Sequence, residues 1–130
     1  MAMIVRAFPV LPGKENEALD FARVASGTRN KEMTSFLSSF GVRRETWHLQ
    51  RMDGRTFVIV VTDVEHPPLE KAQAYGASQG AFERWFKDHI KALCGIDPDA
   101  QPLGPPSETI FQWDSADNRR RTLDAPVAAP

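Results

Sequence analysis

The stretch that decides the fold is Arg43–Asp63, RRETWHLQRM-DG-RTFVIVVTD. Two runs rich in β-branched and aromatic residues flank Asp53-Gly54, a pair suited to the positive φ angles of a two-residue type I′ turn. The stretch therefore reads as a β-hairpin. The turn fixes the register, setting Met52 opposite Arg55, Gln50 opposite Phe57, His48 opposite Ile59 and Trp47 opposite Val60. Because side chains alternate along a strand, one face carries Trp47, Leu49, Val58 and Val60. The other carries Thr46, His48, Gln50, Met52, Phe57, Ile59 and Val61. Phe57–Val61 is thus apolar on both faces, whereas an antiparallel strand with one wet face alternates apolar with polar. Helices of the same chain can cover one side, and the other calls for a second sheet.

Working outward, Ala2–Val10 alternates Met3, Val5 and Ala7 against Ile4, Arg6 and Phe8 before Pro9 and Pro12-Gly13, and reads as a first strand and turn. Lys14–Phe40 has helical spacing in two halves. Ala18, Phe21, Ala22 and Ala25 share one face, and Met33, Phe36, Leu37 and Phe40 repeat the pattern, with Gly27-Thr28 as a bend or break between them. Gly41 stands where a left-handed cap belongs. Beyond the hairpin, Leu69–Ala77 reads as a short helical segment and Gly76–Gly80 as a break, with Ser78 a candidate cap for a stronger helix, Ala81–Cys94. In that helix Phe82, Phe86, His89 and Leu93 form an inward stripe flanked by Trp85 and Ile90. Ile96–Pro106 is a proline-rich extended loop. Ser107–Asp114 reads as a last strand, and residues 115–130 as an arm with no core of its own, expected to lie on a partner subunit or in a crystal contact. The expected order is βαββαβ. This is the ferredoxin-like α+β arrangement over residues 1–114, a four-stranded antiparallel sheet with helices on one face.

Composition bounds the function. The chain has 130 residues, 42% hydrophobic and 25% charged, in the range of an ordinary soluble domain. Its net charge of −1 supplies no field to attract nucleic acid or an acidic membrane. No apolar stretch reaches spanning length and no signal peptide is legible at the start, so a cytoplasmic location is expected. Cys94 is the single cysteine and rules out an intrachain disulfide. The βαββαβ order is shared with RNA-recognition modules, but GRTFVIVV lacks their aromatic spacing. No HExxH, CxxC or phosphate-loop pattern is present, so neither a metal nor a cofactor is expected.

The element order, the first strand running into VLPGKENEALDF, the DGRTFVIVV strand and the AFERWFKDHI helix together resemble the dimeric α+β barrel superfamily, which includes antibiotic-biosynthesis-type and haem-degrading monooxygenases and families of unknown function. The chain is most similar to an uncharacterised family within it. The resemblance implies a homodimer closed through its sheet faces and a ligand cleft between sheet and helices. Monooxygenases of this group use an Asn, a Trp and an Arg, and haem-degrading members a first-strand Asn, a Trp and a late-helix His. Here the first strand has no Asn and offers Arg6 as its polar interior residue. His89 and Trp47 match by position.

The expected function is binding of a small, flat, apolar molecule, with a cofactor-independent oxygenase-type reaction as its catalytic form. His89 and Arg6 are the candidate catalytic residues. Trp47, Trp85, Phe82, Phe86 and His48 are the candidate ligand contacts. The alternative is a non-catalytic dimeric binding or regulatory module in which these residues pack, with His89 a core-edge ring bonded to backbone and His48 and Gln50 part of the dimer interface. Cys94 is expected to be a buried thiol. His66 and Arg119–Arg121 carry no assigned role.

Overall fold

The computed structural model describes residues 2–65, 80–100, 107–113 and 115. The chain folds as β1 (Ala2–Val10), α1 (Glu15–Ser26), α2 (Asn30–Ser39), β2 (Val42–Met52), β3 (Arg55–Val64) and α3 (Ala81–Cys94). The strands form an antiparallel sheet in the order β1-β3-β2. It is an α+β fold, with the three helices packed on one face of the sheet.

The hairpin adopts the register its turn demands. Trp47 pairs with Val60, His48 with Ile59, Gln50 with Phe57 and Met52 with Arg55. Asp53 and Gly54 have φ of 53° and 71°, the left-handed pair that lets a two-residue loop follow the strands' own twist. β1 continues the sheet, with Arg6 opposite Val60 and Phe8 opposite Val58. A bulge between Val42 and Arg44 resets the alternation at the start of β2, turning Val42 toward Val64.

The long helical region divides at Gly27-Thr28. Gly27 closes α1 with φ −111° and ψ −100°, and a Cβ there would meet the Arg23 carbonyl oxygen at 2.9 Å, so a larger residue would disturb the break. Gly41, at φ 76°, terminates α2 and donates its N–H to the Ser38 carbonyl. Gly95, at φ 74°, ends α3 in the same way through the Lys91 carbonyl.

The core lies between the helices and one sheet face. Phe21, Phe36, Phe82, Phe86, Met33 and Leu93 are buried there, with Phe8, Trp47 and Val58 packed against them from the sheet. Phe21 is the hub. Its ring stacks on Trp47 and His89 and also contacts Trp85 and Phe86, with centroids 4.8–5.5 Å apart. Burial of each such ring is worth about 1.5–3 kcal/mol. On the opposite sheet face no described helix covers Val5, Ala7, Phe57, Ile59 and Val61, and Met3 and Met52 are more than half exposed.

The fourth strand expected at Ser107–Asp114 is not seen among the described residues. Residues 107–113 join no strand ladder among the described residues. A single backbone bond, from Ser107 N–H to the Val5 carbonyl at 2.8 Å, ties the start of this segment to the free edge of β1. Beyond it Ile110, Phe111 and Trp113 are 65–80% exposed, so nothing among the described residues rewards further pairing with apolar contact. Leu69–Ala77, Ser78, His66 and Arg119–Arg121 lie outside the described residues. No described helix is long and apolar enough to cross a membrane.

Candidate functional site

A cavity of about 300 Å³ lies between the sheet and the helices. Its floor is the inward face of all three strands: Ile4, Arg6, Phe8 and Val10 of β1; Val42, Glu45, Trp47 and Leu49 of β2; Val58, Val60, Thr62 and Val64 of β3. Its roof is Ala18, Leu19, Phe21 and Ala22 of α1, Phe36 and Leu37 of α2 with Phe40 after it, and Phe86, Ile90, Leu93 and Cys94 of α3, closed by Ile96 and Pro98. The lining is apolar except for Arg6, Glu45, Thr62, the Trp47 indole and the Cys94 thiol.

The polar groups gather at one place because of strand register. Glu45 pairs directly with Thr62, and Trp47 with Val60, which pairs on its other side with Arg6. The Glu45 carboxylate accepts from Trp47 Nε1 at 2.8 Å and from Thr62 Oγ1 at 2.9 Å. Burial pushes its pKa above the ordinary carboxylate range, partly opposed by those two hydrogen bonds and by the Arg6 charge. Arg6 is shifted the other way, lowered by burial and partly restored by Glu45. No ion pair joins the two among the described residues. The buried Arg6 Nε has no hydrogen-bond partner among the described residues. Native interiors seldom leave such a donor unmatched.

The expected site residues separate into two groups. Arg6, Trp47 and Phe86 line the cavity. His89, Trp85, Phe82 and His48 do not line it. His89 lies behind Phe21, stacked on it at 4.8 Å with the rings within 5° of parallel, and its Nδ1 donates to the Trp85 carbonyl at 2.8 Å. That is the core-edge arrangement of a histidine satisfied by backbone. Trp85 and Phe82 belong to the same aromatic layer, capped by the Arg29 guanidinium 4.5 Å above Trp85 and 5.4 Å above Phe82. His48 sits on the opposite sheet face, exposed, with Nε2 2.9 Å from Thr46 Oγ1.

Glu45 and Thr62 were not among the expected site residues, although the hairpin register contained the signal. Two positions before Trp47 on β2 and two after Val60 on β3 fall on the same face, directly opposite one another. Cys94 is buried, as expected, and its thiol pKa is pushed up to about 11 by burial. A thiol so far from ionisation at neutral pH is a poor nucleophile.

Comparison of the chain with protein-family models, with curated proteins and with solved structures finds no match.

Proposed function

We propose that this chain binds a small, mainly apolar molecule in the cavity between sheet and helices, and that it does so as a homodimer of the dimeric α+β barrel type. The observation that carries the binding reading is the cavity itself. It is roofed and floored by aliphatic and aromatic side chains, with a few polar groups converging at one end, the usual composition of a small-molecule site. The uncovered sheet face supports the dimer. Phe57, Ile59 and Val61 run along the central strand there, and a second sheet laid on them would bury a contiguous apolar patch. Residues 107–113 would then act as the fourth, edge strand beside β1. The Ser107–Val5 bond is its first rung, and Ile110, Phe111 and Trp113 would be covered by the second subunit.

A second reading, turnover of the bound molecule by an oxygenase-type reaction without a cofactor, is favoured by Glu45. A buried carboxylate with a raised pKa beside a cation has the character of a general base. In this reading Glu45 takes the role expected of His89.

Two measurements test the proposal. The neutral fluorophore N-phenyl-1-naphthylamine should brighten on the protein, and Ala22→Phe, which fills the cavity from α1, should abolish the signal; no brightening with the wild-type protein contradicts the binding reading. Sedimentation should report a dimer that Ile59→Lys converts to monomer. A wild-type monomer at tens of micromolar contradicts the assembly.

A further inference from the structure

We propose that the ligand of this cavity carries a single carboxylate that docks on Arg6, so that the protein is a receptor for small apolar monocarboxylic acids. The inference rests on the binding reading above and adds the chemical class of the ligand.

Arg6 projects from the middle of β1 into an otherwise greasy chamber, and its buried Nε–H meets no acceptor among the described residues. The adjacent carboxylate does not fill that role. Both Glu45 oxygens are engaged by its own strand and by β3, through Trp47 Nε1 and Thr62 Oγ1. Glu45 therefore moderates the Arg6 charge from nearby without occupying its donors. A guanidinium offers a planar fork of N–H groups matched to a carboxylate, and a buried donor left unmatched is costly. The other polar groups on the walls are already bonded, like Thr62 and the Trp47 indole, or weakly polar, like the Cys94 thiol. The unmet demand of the chamber is thus one anionic, two-oxygen acceptor at the Arg6 end and hydrocarbon everywhere else. An apolar acid supplies both, with its body against Phe21, Phe36, Leu49 and Phe86.

The test is calorimetric titration of the full chain with naphthalene-2-carboxylate and with its near-isosteric carboxamide, and with octanoate against octan-1-ol to separate aromatic from aliphatic acids. In at least one pair the acid should bind about tenfold or more tighter than its neutral partner, the size expected of a charge-assisted pair. Arg6→Met should erase that preference while the neutral compound still binds. The Arg6 Nε–H resonance of the wild-type protein should also move on adding the acid and stay in place with the neutral compound, which keeps the test independent of how the variant folds. Equal affinities in both pairs, a preference that survives Arg6→Met, or an unmoved Nε–H signal at saturation overturns the inference. If neutral compounds bind without any acid preference, this inference alone fails. If neither kind binds, the cavity reading fails with it.

Discussion

Two cations are drawn into this fold, and they are treated in opposite ways. Lys87 on α3 is fully shielded from solvent, yet its ammonium lies 3.0 Å from Asp99, which also accepts from Arg84 at 2.8 Å. Arg6 on β1 is only partly shielded, yet its buried Nε has no acceptor among the described residues and its charge neighbour Glu45 is committed to other donors. Lys87 and Asp99 form a closed structural pair that pins the turn after α3 to the helix. Arg6 is left open. A fold able to complete one buried cation and leaving another incomplete, within a cavity, has the second available for something outside the chain.

Stability measurements can break this contrast. The largest effect is expected at Lys87. Lys87→Ala removes a fully buried stem and leaves Asp99 with Arg84 but without its buried cation, and should cost about 3 kcal/mol in urea unfolding. Arg6→Met, which replaces an unmatched buried cation by an apolar side chain of similar reach, should lie within about 1 kcal/mol of wild type or above it. Similar large losses at both positions would mean that Arg6 is as structural as Lys87.

A smaller effect, of opposite sign at the two sites, is expected from pH. Asp99 is held below the ordinary carboxylate range, chiefly by its hydrogen bond from Lys87 and then by that from Arg84. Its contribution is therefore present above the unfolded carboxylate pKa and lost as pH falls through the depressed folded value. Glu45 is raised, chiefly by burial. Its contribution is complete below the unfolded carboxylate pKa and is lost as pH rises through the folded value. Unfolding free energies followed from acid to neutral pH should show Asp99→Asn removing a rise with pH and Glu45→Gln removing a fall. The same sign at both positions contradicts the assignment.

How far the sequence carried these conclusions depends on the kind of constraint. The hairpin was legible residue by residue, because Asp53-Gly54 permits one register and alternation then assigns every side chain to a face. The helix break at Gly27-Thr28 and the left-handed Gly41 were legible for the same local reason. Arg6, Trp47 and Phe86 were identifiable as inward residues. Glu45 and Thr62 followed from that register too, but polar residues near strand ends are ordinarily solvated, and only the roof formed by α1, α2 and α3 makes them interior. His89 shows the converse limit. Its helical spacing puts it on the buried stripe, but whether a ring on that stripe faces a cavity or a neighbouring ring depends on Phe21, which belongs to a different helix. The strand expected at Ser107–Asp114 was read from alternation alone, and alternation does not supply the partner surface a strand needs.

The central claim is that the open cation waits for an acid. Native mass spectrometry of the chain purified from its own host tests it most directly. The account predicts a dimer carrying a small adduct that organic extraction releases as a monocarboxylic acid, with the adduct absent from the Arg6→Met protein prepared in parallel. A wild-type protein free of adduct, or one retaining the same neutral molecule with and without Arg6, would contradict it.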